Sequence, residues 1–159
     1  MKARRATPAD AAAIARIYNE GIEERIATFE TRPRAAADVE KWFEGKHPIV
    51  VIEDGGEVIA FASTSMYRPR DAYAGIAEFS VYAARSARGR GAGRAAMLAL
   101  FEAARQAGFW KLVSRVFVEN AASRALLRSV GFREVGIYER HAQLDGIWRD
   151  VVIVEKRLE

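Results

Sequence analysis

Cysteine is absent from the 159 residues. Disulfides, thiolate metal sites and a cysteine nucleophile are excluded with it. Histidine occurs only at His47 and His141, too sparse for a histidine-rich metal centre, so no metal site is expected. No apolar run approaches the length that crosses a bilayer, and nothing at the start reads as a signal peptide. A membrane partner is therefore not expected, and the cytoplasm is the expected location. No aromatic residue interleaves the arginines of residues 85–94, as a single-strand nucleic-acid binder would need. The net charge of +4 is modest, so nucleic acid is not the expected partner either. Two phosphate loops are also missing. Gly93 is followed by Arg94 and Ala95, where a P-loop needs Lys and Ser or Thr. The GxGxxG spacing of dinucleotide-binding folds is lacking as well.

What remains is ordinary globular composition, 50% apolar and 29% charged, in a chain long enough for one domain over residues 1–159. Its most informative stretch is residues 78–94. Residues 76–83 alternate as a strand, with Ala77, Phe79, Val81 and Ala83 on one face and Ile76, Glu78, Ser80 and Tyr82 on the other. A glycine-arginine loop follows. Then Met97, Leu100, Phe101 and Ala104 take up helical spacing. Between Glu78 and Glu102 there is no acidic residue, but there are four arginines. Glycines at alternate positions let backbone N–H groups turn towards an anion, and a helix start adds partial positive charge. The stretch reads as a phosphate cradle with a carboxylate on the strand leading into it. The plainer alternative is a strand-to-helix turn with a solvated basic face.

The rest of the chain alternates helix and strand signals. Residues 2–6 form a weak strand. Thr7, Pro8 and Asp10 open a helix with a capping-box arrangement, and Ile14, Ile17, Tyr18, Gly21 and Ile22 are its apolar stripe. Tyr18 is expected in the core. A second helix spans residues 35–45. Residues 49–53 and 57–67 pair through a turn at Asp54, Gly55 and Gly56. Gly108 ends the long helix, and residues 111–118 are a strand. Asn120 caps a helix ending at Gly131, residues 132–140 return as a strand, residues 141–148 are a loop, and residues 149–157 are the last strand.

Arg88-Gly89-Arg90-Gly91-Ala92-Gly93 resembles the acetyl-CoA signature of the GCN5-related N-acetyltransferase superfamily. A second segment resembles the same superfamily: Asn120-Ala121-Ala122-Ser123 with Arg124-Ala125-Leu126-Leu127, then Gly131-Phe132. Within it the chain is similar to the phosphinothricin and arsinothricin N-acetyltransferases. That likeness lies in Ile17-Tyr18-Asn19, Ile22-Glu23, Thr28-Phe29-Glu30-Thr31, residues 67–73, Ala77-Glu78, Val81-Tyr82 and residues 146–151.

The resemblance implies an α/β acyl-CoA N-acyltransferase fold: a mixed, mostly antiparallel, splayed sheet flanked by helices. It implies acetyl-CoA as donor and Glu78 as the base that deprotonates the acceptor amine, with a structural carboxylate paired to an arginine as the alternative. A bulge at Val81, Tyr82 and Ala83 would free N–H groups for the pantetheine arm and the oxyanion. Arg88, Gly89, Arg90, Gly91, Gly93 and Arg94 would hold the pyrophosphate. Asn120 and Ser123 would serve the cofactor, or Asn120 would simply cap its helix. Phe29 would line the acceptor pocket or pack the early helices together. Arg68 and Arg70, with Tyr73, suit the oxyanions of an anionic amino-acid acceptor. Trp148 suits either that pocket or a homodimer interface.

Two positions depart from the pattern. Leu127 stands where many relatives carry a tyrosine thought to protonate the leaving thiolate, so Tyr138 is a substitute candidate. Asp145 stands where some carry a histidine, so a Glu–His pair is not expected. The expected function is acetylation of a small anionic amino acid such as phosphinothricin, arsinothricin or methionine sulfoximine, giving resistance. The alternatives are acetylation of a peptide or protein N-terminus or of a polyamine, a non-catalytic acyl-CoA-binding module and, weakest, a nucleic-acid binder.

Overall fold

A computed structural model describes all of residues 1–159. Strand β1 (Lys2–Arg5) leads through a 3-10 turn (Pro8–Asp10) into α1 (Ala11–Glu24). Asp10 closes the entry: its carboxylate accepts the Thr7 N–H at 2.8 Å and two bonds from Arg4 at 2.8 Å. The Arg4 guanidinium holds that carboxyl below its ordinary range. A short α2 (Ala36–Glu40) and a 3-10 turn (Lys41–Phe43) replace the longer helix expected over residues 35–45. Strands β2 (Ile49–Asp54), β3 (Glu57–Met66) and β4 (Ile76–Ala83) follow, then α3 (Ala92–Gln106), β5 (Lys111–Phe117) and α4 (Ala121–Ser129). Helix α3 begins inside the expected loop, so Gly93 and Arg94 belong to its first turn.

The closing hairpin differs most from the sequence reading. Strand β6 (Arg133–Leu144) and β7 (Ile147–Arg157) absorb nearly all of the expected 141–148 loop. Only Asp145 and Gly146 remain as a turn, with φ of 53° and 78°. Positive φ at both central residues is what a two-residue hairpin of this twist needs, and Asp-Gly supplies it.

The seven strands run in the order β1-β2-β3-β4-β5-β7-β6. Every pairing is antiparallel except β4 with β5, where α3 makes the crossover a parallel pair requires. This is the mixed, mostly antiparallel sheet expected. Tyr82 meets Tyr18 of α1 at 5.2 Å, whereas Phe79 meets Phe132 at 4.8 Å, with Phe101 of α3 behind it. Those two β4 residues point to opposite faces, so α1 and α3 cover opposite sides of the sheet. Ile14, Ile17, Phe61, Met97, Leu100 and Leu112 are fully buried between them. Each such side chain contributes roughly 1.5–3 kcal/mol of burial. Tyr18 packs edge-on to Trp42 and Tyr82, as expected of a core residue. Gly21 is required there, because a Cβ would come within 2.7 Å of the Tyr82 ring.

Candidate active site

The site forms where β4 and β5 part. Their ladder comprises Ile76 with Lys111, Ala77 with Leu112 and Glu78 with Val113. One step further the Ser114 hydroxyl, not a backbone amide, donates to the Phe79 carbonyl at 2.9 Å. Beyond it the strands diverge around a cavity of about 620 Å³. Strand β4 lines one side with Phe79 to Ala83, and β5 the other with Ser114, Arg115 and Val116.

The expected bulge in β4 is absent. The register of β3 with β4 is continuous from Ala60 opposite Ala83 to Met66 opposite Ala77. The free donors arise from the splay instead. The Ala84 N–H donates to Ile59 of β3 at 2.8 Å. Alternation along the strand then turns the amides of Val81 and Ala83 the other way, into the gap left by β5. Tyr82 fills a different role: its ring is packed on α1, and burial pushes its hydroxyl pKa up.

The glycine-arginine loop closes one end of the cavity. Gly89 and Gly91 adopt φ of 76° and 81°, and Gly91 is the N-cap of α3. Its cap carries no side-chain hydrogen bond, so the first-turn amides of α3 are donors without a protein acceptor. Arg88, Gly89, Gly91 and Gly93 line the cavity, but Arg90 and Arg94 do not. Arg90 pairs with Asp54 of the β2–β3 hairpin. Arg94 donates to Ser129 Oγ at 3.1 Å. Arg88 itself is held by Glu24 of α1 at 2.6 Å, and the pairing lowers the Glu24 pKa. Carboxylates distant in sequence thus neutralise a loop that reads as purely basic. The groups left to meet a phosphate are chiefly backbone amides. At the opposite wall Asn120 both caps α4, accepting the Ser123 N–H at 3.2 Å, and lines the cavity with Ser123. Leu127 is a buried wall residue there.

Glu78 is the last β4 residue paired with β5, just outside the cavity walls. Its carboxylate accepts from Arg115 at 2.9 Å, and the other end of that guanidinium lies 3.3 Å from His141 Nε2. An arginine does contact Glu78, as the alternative reading allowed, but it comes from β5 and not from the loop. Neither Arg115 nor His141 was singled out from sequence. A charged residue set among Leu112, Val113, Val116 and Phe117 was the available signal for the first; nothing local marked the second.

The expected acceptor residues are less gathered. Phe29 neither lines the cavity nor joins the early helices. It packs edge-on to Phe117 at 4.7 Å, in a small cluster with Leu144 and Val151. Arg68 folds back over Tyr67, and Tyr73 meets Tyr67 at 5.8 Å. With Arg70 they occupy the loop between β3 and β4, near Glu78 in the fold but outside the cavity walls. Tyr138 also lies off the cavity, its ring 5.0 Å from His141. Trp148 is exposed on the β6–β7 hairpin beneath Arg140.

The profile of the Acetyltransferase (GNAT) family matches residues 14–132. The chain belongs to this family. The acetyltransferase is accordingly an acetyl-CoA-dependent enzyme, and the splayed cavity and the amides around it fit that donor. An L-methionine sulfoximine/L-methionine sulfone acetyltransferase of Pseudomonas paraeruginosa is 34% identical over 98% of this chain and 94% of its own. Among solved structures, a phosphinothricin acetyltransferase from Sinorhizobium meliloti in complex with acetyl-CoA superposes with a TM-score of 0.90. It is 30% identical, over 98% of this chain and 87% of that one. A ribosomal-protein-alanine N-acetyltransferase from Brucella melitensis superposes with a TM-score of 0.93 and is 34% identical, over 99% of both chains.

Proposed function

We propose that this acetyltransferase acetylates the α-amino group of a small anionic amino acid of the methionine sulfoximine, phosphinothricin or arsinothricin kind, and so confers resistance to it. The observation that carries the reading is Glu78 at the mouth of the splay, joined to the guanidinium of Arg115 on the cavity wall. A base and a cation for a carboxylate stand side by side. The Pseudomonas relative, named for two such acceptors, supports the same class.

Acetyl-CoA supplies an acetyl thioester, an acyl carbon activated towards amines. Glu78 takes the proton of the attacking amine, directly or through one water. The amides of Val81 and Ala83 bind the donor's arm and the oxygen that gains charge. Gly89, Gly91 and the first turn of α3 hold its phosphates, with Arg88 beside them. Asn120 and Ser123 complete the far wall. Leu127 offers no proton, and Tyr138 sits on the acceptor side, so the sulfur leaves as thiolate without help from either. Arg68, Arg70 and Tyr73 remain available for the acceptor's second anionic group. The exposed apolar side chains Val135, Ile137, Tyr138, Ile147 and Trp148, spread over both faces of the edge hairpin, suit a homodimer contact. A cytoplasmic location fits a donor drawn from metabolism.

A second reading has specific support. The Brucella structure is named for a protein N-terminal alanine, and an open acceptor side would admit a peptide. The test is thiol release from acetyl-CoA with purified protein and a panel of acceptors: the three amino-acid analogues, ordinary amino acids, a polyamine and short peptides. Turnover concentrated on an anionic analogue is expected. Turnover on peptides alone would replace this acceptor with a protein N-terminus.

A further inference from the structure

The pairing of Glu78 with Arg115 poses a chemical problem. The Glu78 oxygen that accepts from Arg115 is occupied and turned away from an incoming amine. Arg115 sits two residues beyond Val113, the β5 partner of Glu78, so both side chains emerge on one face where the ladder ends. Its side chain is 42% exposed, open to a competing anion.

A second feature holds the guanidinium in place. Strand β6 bulges between Tyr138 and Ala142: Tyr138 pairs with Val151 and Ala142 with Arg149, so Glu139, Arg140 and His141 stand opposite Asp150 alone. Arg140 takes a left-handed φ of 48°, and its N–H donates to Asp150 Oδ1 at 2.8 Å. Such a bulge re-aims the side chains around it. Here it carries His141 to Arg115. An arginine only donates, so His141 Nε2 is the acceptor. The Tyr138 ring lies along the imidazole. Arg115 is thus stretched between Glu78 and a histidine delivered by a bulge on an edge strand.

We propose that Arg115 is the receptor for the acceptor's α-carboxylate, and that the arriving carboxylate draws the guanidinium off Glu78 and so frees the base. The amine and carboxylate of an α-amino acid share one carbon and lie only about 2.5 Å apart (nitrogen to carboxyl carbon). A carboxylate seated on Arg115 therefore brings its own amine to Glu78. The amine's proton passes to the Glu78 carboxylate as the N–C bond to the acetyl group forms and the C–S bond breaks. An acceptor without an α-carboxylate, such as a peptide N-terminus or a polyamine, leaves Arg115 on Glu78 and the base masked. His141 is a positioning residue that keeps the guanidinium turned towards the cleft.

This rests on the amino-acid acceptor reading above, and one experiment separates the two. Steady-state acetylation of methionine sulfoximine is compared with that of its α-carboxamide, for the wild type, Arg115→Gln and Arg115→Lys. In the wild type the acid is expected to exceed the amide in kcat/KM by at least about 100-fold, as a site built around a charged pair rejects an analogue lacking it. In Arg115→Gln that ratio should fall to within about threefold, chiefly through a higher KM for the acid. Arg115→Lys should restore part of the ratio, which a merely misfolded variant would not. His141→Ala should raise the KM for the acid and His141→Gln, which keeps an acceptor, should bring it back. An unchanged ratio in Arg115→Gln, with the wild type still preferring the acid, overturns the role of Arg115 and leaves the acceptor reading standing. A wild type that acetylates peptides but neither amino-acid form overturns both.

Discussion

The proposed donor side and the proposed acceptor side of the cleft are built differently. The donor side is backbone: the amides of Val81 and Ala83, Gly89 and Gly91, and the first turn of α3. It comes mostly from one continuous stretch, and its nearby arginines are already paired to Glu24, Asp54 and Ser129. The acceptor side is side chains from separate elements: Glu78 on β4, Arg115 on β5 and His141 on β6. Backbone donors survive every point substitution except to proline, but they depend on backbone conformation. Side-chain sites are the reverse. The difference separates an invariant donor from an acceptor that is selected.

The sharpest test of that division is Glu78→Gln. It should lower kcat by about 100-fold or more, the scale of a lost general base, while acetyl-CoA affinity by calorimetry stays within about twofold. Comparable losses in both would mean that the two sides are not separable. Next is Gly91→Ala. No atom obstructs the added Cβ, but a left-handed φ of 81° costs an alanine about 1–2 kcal/mol. Acetyl-CoA binding should weaken by about tenfold through the shifted helix cap, with the acid-to-amide preference of the acceptor unchanged.

The smallest effect is expected from Glu24→Gln, which releases Arg88 to the phosphates. Acetyl-CoA should bind about two- to threefold more tightly, and most visibly at low salt. The Glu24 carboxyl is depressed by its hydrogen bonds from Arg88, so its pairing is complete above the ordinary carboxylate range and is lost only as pH falls through the depressed value. The wild-type affinity should therefore show no step from Glu24 between pH 6 and 8, and any such step would have to come from another group.

The local structure of the proposed donor side was largely legible in the sequence because it lies within one stretch. Alternation fixed β4, glycine spacing fixed the loop, and helical spacing fixed α3, all within one stretch. Asn120 read correctly as a cap because capping also spans only a few residues. The misreadings lie where distant segments meet. Tyr138, the substitute proton donor, lies against His141, and Phe29, expected in the acceptor pocket or between the early helices, packs on Phe117. The Asp145–Gly146 turn is locally readable, but the position of His141 also depends on the β6 bulge and on Arg115 of β5. The bulge assigned to β4 exists instead in β6, while β4 frees its amides by losing its neighbour.

By itself, then, the sequence determined most of the elements, their order and the glycine-arginine turn at the start of α3. Periodicity, turn chemistry and helix starts act over a few residues and need no partner. Only the tertiary structure decided that the basic loop is neutralised by α1 and the β2–β3 hairpin, and that Glu78 shares its charge with Arg115 and, through it, His141. Coulomb interactions and hydrogen bonds act across space between residues as many as 120 positions apart in the chain, as Arg25 and Asp145 are, and no local pattern records them.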